Sequence, residues 1–188
     1  MGHKIVTILV QAITTDGKIA RNECQFPDWT GKEDKKIFQK ITMNAGVMIM
    51  GAKTFAIMPA PLPNRKHIVM TRTPKTSDHP DVVFTDASPK EILHQLEEDG
   101  FTEVVIAGGA QVNTLFAREG LIDKIELTVC PLIFGEGISL FTEPLEMSLF
   151  LQETRLLGDS LGDGRILCNY DVIYSARLND PTMTCDVE

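Results

Sequence analysis

Short runs rich in Val and Ile alternate along this chain with segments of helical periodicity, and Gly, Pro or a cap-forming residue marks most changes of pattern. That alternation predicts an α/β fold with a largely parallel sheet, because a crossover between parallel strands needs a helix-length connection. Strands are expected at residues 4–13, 47–50, 67–71, 82–85 and 103–107. Helices are expected between them. Residues 30–44 open with Thr30-x-x-Glu33, read as a capping box ahead of Ile37, Phe38 and Ile41. Residues 53–58 are ended by Pro59. Ser88-Pro89-Lys90-Glu91 is a second capping box, with Ile92, Leu93 and Leu96 on one face and Gly100 as the stop. Residues 110–119 are stopped by Gly120. From Ile122 onward no helical pattern recurs, and residues 122–131, 149–157 and 165–174 read as strands, the last two as an antiparallel hairpin at one sheet edge.

The 188 residues suffice for one domain, expected over residues 1–177 with a polar C-terminal tail over 178–188. Eighteen Lys and Arg against 26 Asp and Glu give a net charge of −8, a field that repels polyanions. Nucleic acid and anionic membrane are therefore not expected as partners, although a local basic patch can still hold a small phosphate. The apolar runs are strand-sized, too short to span a bilayer, and the N-terminus reads as a first strand rather than a signal peptide. Cys24, Cys130, Cys168 and Cys185 show no C-x-x-C spacing and read as reduced thiols, which suits the cytoplasm. The four histidines have no ligand-type spacing, and no metal is expected.

The clearest chemical signal is a strand running into Gly108-Gly109-Ala110 and then a helix. Glycines there let the backbone approach a ligand, and the helix N-terminus offers free N–H groups to a phosphate. A tight turn with no ligand is the other reading of this pattern. It is not a G-x-G-x-x-G fingerprint, since the spacing differs. Met50-Gly51-Ala52-Lys53-Thr54 forms a second strand-to-helix junction, and Thr71-Arg72 ends a third strand. Lys53, Thr54 and Arg72 would thus share the edge beyond the strands' carboxyl ends, where open α/β sheets bind ligands. Two phosphate-type sites there suit a dinucleotide with a 2′-phosphate, while solvated surface cations remain the alternative for each.

Asp34 stands on one stripe with Ile37, Phe38 and Ile41. A carboxylate on an apolar face calls for a partner, such as a protonated heterocycle in a cleft, or else is a first-turn acid favoured by the helix dipole. Gly158-Asp159-Ser160-Leu161-Gly162 matches the G-x-S-x-G of serine hydrolases. That elbow must lead into a helix, yet a strand follows, and no His occurs after His94. A hairpin loop is the reading adopted.

Four segments, in order, resemble the superfamily of dihydrofolate reductases and the reductase domain of riboflavin biosynthesis. Thr15-Asp16-Gly17-Lys18-Ile19-Ala20 resembles its nicotinamide-side loop, and Met50 to Phe55 its M-G-R-K-T-[FWY] segment. Pro61-Leu62-Pro63-Asn64-Arg65-Lys66 resembles P-L-P-G-R-K, and Ile106 to Ala110 the pyrophosphate turn, whose Gly-Gly bond is cis in this family. The resemblance runs from about Lys4 to Tyr174. It implies a three-layer dihydrofolate-reductase-like fold, a central mostly parallel sheet with helices on both faces and an antiparallel C-terminal hairpin.

It also implies hydride transfer from NADPH to a C=N bond of a small pyrimidine- or pterin-type heterocycle. The implied cofactor site takes Ala12, Gly17 and Ile19 from the first segment's region, then Gly51, Lys53 and Thr54. Thr71 and Arg72 follow, and last Gly108, Gly109, Ala110, Gln111 and Val112. Ala52 stands where the family has Arg, which leaves the 2′-phosphate to Lys53, Thr54 and Arg72. Asp34 is implied as the substrate-orienting carboxylate, hydrogen-bonded to Thr128, and Arg65 and Asn113 as substrate contacts. Pro61 to Arg72 is similar to dihydrofolate reductases, in which the residue matching Arg65 grips the folate glutamate carboxylate. Residues 120–131 and 134–141, with Asn113, look like the riboflavin-pathway domain. That branch, a 5-amino-6-(5-phosphoribosylamino)uracil reductase, is the reading favoured. Dihydrofolate reductase and a non-catalytic nicotinamide-binding module are the alternatives, and a homodimer is compatible with any of them.

Overall fold

The computed structural model describes residues 5–73, 75–142, 145, 149–157 and 164–174. Their elements, in chain order, are β1 (Val6–Thr14), β2 (Lys18–Ala20), α1 (Gly31–Ala45), β3 (Val47–Gly51), α2 (Ala52–Ala56), β4 (Lys66–Met70) and β5 (Val82–Thr85). There follow α3 (Pro89–Glu98), β6 (Glu103–Ile106), α4 (Ala110–Arg118), β7 (Lys124–Cys130), β8 (Ile138–Ser139), β9 (Leu149–Leu157) and β10 (Ile166–Tyr174). The boundaries of β5 and β9 coincide with those the sequence predicts. The G-x-S-x-G segment at 158–162, Cys185 and the tail over 178–188 lie outside the described residues.

Eight strands form one sheet in the order β5-β4-β3-β6-β1-β7-β10-β9. The first six run parallel, and β10 and β9 close the edge antiparallel. The inner strands are apolar on both faces because both faces are covered. Successive residues point to opposite sides. Val47 and Ile49 of β3 join the apolar cluster that holds Leu9 and Ile106, whereas Met48 and Met50 join the cluster of Ile8, Val10 and Val105. Ile92, Leu93 and Leu96 of α3 and Val112 and Phe116 of α4 cover the first cluster. Phe38, Ile41 and Ala45 of α1 and Phe55 of α2 cover the second. This is the three-layer arrangement with helices on both faces that the resemblance implies.

The two expected capping boxes fare differently. At α3 the Ser88 and Glu91 side chains each accept from the other residue's backbone N–H, completing the box. At α1 the box is absent. Thr30 adopts helical φ and ψ of −78° and −14°, not the extended conformation that turns an N-cap side chain toward the next turn. Its hydroxyl instead donates to the Pro27 carbonyl at 3.4 Å, and Glu33 pairs with Lys36 at 2.7 Å. The short strands β2 and β8, paired with each other, were not predicted, since two or three residues carry no readable period.

His67 on β4 is fully buried and accepts the Leu62 N–H on Nε2 at 3.1 Å, fastening the segment before β4. Burial lowers its pKa below the ordinary value. The fold therefore favours the neutral ring. Its contribution to stability is complete above the unfolded-state value of about 6.5 and declines as pH falls from there through the lower folded value. Thermal midpoints should fall between pH 7 and pH 5, and His67→Gln, which keeps an acceptor but does not titrate, should flatten that segment of the profile. An unchanged slope in the variant would assign the acid sensitivity to other groups.

Candidate active site

A cleft of about 1330 Å³ opens at the carboxyl ends of the parallel strands. Its floor is Val10, Gln11 and Ala12 of β1 with Met50 and Gly51 of β3. One wall is α1, through Asp34, Lys35 and Phe38. Leu62, Pro63 and Arg65 close the end behind that wall. Thr71 and Arg72 after β4, and Gly109 to Val112 at the start of α4, form the opposite end.

The turn into α4 is built for close approach. Gly108 has a φ of +85°, the region open to glycine, and the Gly108–Gly109 bond is cis. A Cβ on Gly108 would lie 2.6 Å from Gln11 Nε2, and one on Gly109 would lie 3.1 Å from Thr54 Oγ1. The Gly108 carbonyl accepts the Gly51 N–H at 2.8 Å and so ties the two glycine turns together. No side chain caps α4, and its first N–H taken by the helix itself is that of Asn113, on the Gly109 carbonyl. The N–H groups that precede it meet a cradle that any side chain would fill. These residues fit a dinucleotide pyrophosphate.

Of the remaining expected cofactor residues, Ala12, Ile19, Gly51, Lys53, Thr54, Thr71 and Arg72 also line the cleft, while Gly108 and Gly17 do not. Gly108 lies behind the cradle. Gly17, at a φ of +74°, serves the turn between β1 and β2, where its N–H donates to the Thr14 carbonyl at 2.9 Å. Beside it, Asp16 accepts from the Thr14 hydroxyl and from the N–H groups of Phe134 and Gly135 at 3.2 and 2.8 Å. These hydrogen bonds, led by that of Thr14, hold its pKa down to about 2.

Asp34 is partly buried and reaches the cleft from the first turn of α1. The expected hydrogen bond to Thr128 is not formed. Thr128 lies in mid-sheet, 3% exposed, between Ala12 of β1 and Leu167 of β10, and is not among the cleft-lining residues. Asn113 is likewise displaced from its expected role. The inward face of α4 buries it completely, and its Nδ2 donates to the Leu140 carbonyl at 2.9 Å. It buttresses the turn, its Oδ1 lying 3.5 Å from the position of a Cβ on Gly108.

Arg65 is 3% exposed yet lines the cleft. Nη1 donates to Thr42 Oγ1 at 2.7 Å and Nε to the Pro63 carbonyl at 3.0 Å. No carboxylate among the described residues pairs with it. Burial pulls its pKa down. A buried guanidinium with no counter-ion is costly and suits an anion delivered by a ligand.

Sequence reasoning missed Trp29, the only tryptophan of the chain, five residues before Asp34. It lines the cleft, its buried Nε1 has no partner among the described residues, and its ring meets Phe134 edge-on at 5.2 Å. A lone Trp just ahead of a helix bearing an inward acid was the available signal. Among the described residues no group of three or more His, Cys, Asp or Glu could hold a metal ion, and no helix is long and apolar enough to cross a membrane. Cys24 is exposed, and Cys130 and Cys168 are buried.

The parallel sheet with its antiparallel edge and glycine-turn cleft defines the dihydrofolate-reductase-like class. Enterococcus faecalis dihydrofolate reductase, solved with NADP(H), superposes with a TM-score of 0.73 at 23% identity, covering 92% of this chain and 99% of that one. Residues 6–160 match the family described as the RibD C-terminal domain, and the chain belongs to that family. It is 27% identical to YwjB, an uncharacterized protein of Bacillus subtilis, over 82% of this chain and 94% of that protein. It is 35% identical to Escherichia coli dihydrofolate reductase type 1, over 63% of this chain and 68% of that enzyme. Both the RibD C-terminal domains and the dihydrofolate reductases are reductase families.

Proposed function

We propose that this protein is an NADPH-dependent reductase that adds a hydride to the C=N bond of a small pyrimidine- or pterin-type heterocycle with an anionic tail. The observation that carries this reading is that Asp34, Arg65 and the uncapped start of α4 line one cleft. A bound nicotinamide supplies the hydride chemistry. The chain's own residues bind and orient. N–H groups at the start of α4 take the pyrophosphate, Asp34 accepts from ring N–H groups and favours the protonated form, and Arg65 pairs with the tail. The nitrogen of the reduced bond would take its proton from solvent. This role rests on Asp34 alone, with Thr128 and Asn113 left to the fold.

The favoured substrate is 5-amino-6-(5-phosphoribosylamino)uracil, whose phosphate would be the tail. Family membership and the segments around Gly120–Pro131 and Phe134–Phe141 support it. The second reading, dihydrofolate with a glutamate carboxylate as tail, is favoured by the placement of Arg65. Loss of NADPH absorbance with each substrate separates them. Turnover of the phosphoribosylaminouracil is expected. Turnover of dihydrofolate alone selects the second reading, and NADPH binding without turnover of either leaves a nucleotide-binding module.

A further inference from the structure

We propose that His67 is a positioning residue for Arg65: its neutral ring holds the turn that aims the guanidinium at the substrate's anionic tail, and charging the ring loosens that hold. This rests on the function proposed above. Arg65 reaches the cleft from residues 62–65, which turn at Pro63 and Asn64, and Asn64 takes a φ of +59°. Few side chains adopt that left-handed region, and such a conformation persists only where its surroundings fix it. Two hydrogen bonds do so here. The Leu62 N–H donates to His67 Nε2 at 3.1 Å, and Arg65 Nε donates to the Pro63 carbonyl at 3.0 Å. Leu62 and Pro63 themselves line the cleft.

His67 is a fixed post for this turn. Its backbone N–H donates to the Asp81 carbonyl at 2.7 Å, and it pairs with Met48 of β3 and Val82 of β5. Its ring meets Phe55 of α2 edge-on at 6.2 Å. The residue is fully buried and is not among those lining the cleft, so it touches no bound substrate and acts through the turn. With Nε2 accepting, the neutral ring carries its hydrogen on Nδ1, and that atom has no partner among the described residues. An unpaired donor in the interior is costly. An apolar side chain in this space would avoid that cost but leave Leu62 without its acceptor.

On protonation Nε2 becomes a donor and faces the Leu62 N–H, donor against donor. Burial is the first obstacle to that charge. The carbonyls of Arg65 and Asp81 favour it without completing a hydrogen bond to Nδ1, and the charges of Arg65 and His79 oppose it. β3 and β5 carry no titratable side chain, and the one on α2, Lys53, is paired with Glu23 in the cleft lining. Lys66, the neighbour of His67 on β4, pairs with Asp99. Thr42 still accepts from Arg65 Nη1 when the turn loosens, so the grip on the tail weakens and is not abolished.

KM for 5-amino-6-(5-phosphoribosylamino)uracil or dihydrofolate, whichever is turned over, reads the hold. His67→Leu should raise it roughly tenfold at neutral pH with kcat unchanged, and His67→Gln, which restores an acceptor, should bring it back to within about threefold of native. Neither should alter KM for the same compound stripped of its phosphate or glutamate. Between about pH 7.5 and pH 5, KM should rise more in the native protein than in His67→Gln, a comparison that cancels titration of the substrate itself. The difference should vanish when both carry Arg65→Met. In the native protein the Leu62 amide should lose protection from exchange as the His67 ring charges, followed by NMR. An equal rise for the stripped compound, a Gln variant no better than Leu, a KM that falls as the ring charges, or a Leu62 amide indifferent to the ring each overturns the proposal. Turnover of neither substrate overturns the function on which it rests, and the Leu62 amide then still tests the ring's hold.

Discussion

Asp34→Asn should bind the nicotinamide nucleotide as the native protein does and turn over roughly 10²–10⁴-fold more slowly. The carboxylate comes from the first turn of α1, on the opposite side of the cleft from the α4 cradle, so cofactor affinity has no reason to change. The amide keeps the shape and removes the charge. Asn keeps one acceptor oxygen but puts a donor where the carboxylate has its second, so one ring N–H of the substrate loses its partner and the charge is gone. Single-turnover rates and nucleotide titration on the same preparation give both readings. Near-native turnover would make Asp34 an ordinary first-turn acid, and lost nucleotide affinity would mean that the substrate lies elsewhere in the cleft.

The second large effect is expected at Arg65. Arg65→Met should raise KM for the anion-tailed substrate by roughly 10- to 100-fold, since hydrogen bonds to charged groups are worth about 1.5–3 kcal/mol. Thermal stability should hold or rise. A buried cation without a counter-ion is replaced by an apolar chain of similar length, a change that is often neutral or stabilising. Thr42 loses one donor but still donates to the Phe38 carbonyl at 2.8 Å. A substrate lacking the anionic tail should show the same KM with both proteins. If KM rises equally for the tail-less compound, or if the variant melts well below the native protein, Arg65 serves the fold rather than the tail.

The layer order was legible because burial on both faces writes itself into strands such as Val47–Met50 and Glu103–Ile106, and because Ser88-Pro89-Lys90-Glu91 needs nothing but local geometry to cap a helix. Thr30-x-x-Glu33 has the same letters and failed, since Gly31 begins α1 at a φ of +81° and Thr30 ahead of it takes a helical conformation. The pattern records side chains, and the cap depends on the backbone. Thr128 and Asn113 were misplaced for a different reason. Their motifs identified the right elements, but a strand flanked on both sides and a helix face turned inward decide exposure, and neither is written locally. The ion pair of Glu23 with Lys53 joins residues 30 positions apart through tertiary structure alone.

The two-stranded sheet of β2 and β8 supplies Ile19, Ala20 and Ile138 to the cleft, yet belongs to neither apolar core. It hangs from Thr14 and from Asp16, whose carboxylate grips the loop before β8, and Lys18 reaches Ser139 Oγ at 2.9 Å. One wall of the cleft is thus an appendage, fastened by polar bonds to a body that stands without it. Residues within that appendage can be exchanged, lengthened or shortened while the eight-stranded sheet keeps its register. A lineage of such proteins can therefore change what it accepts by rewriting a few half-buried positions, and inherit the nucleotide end of the cleft unaltered.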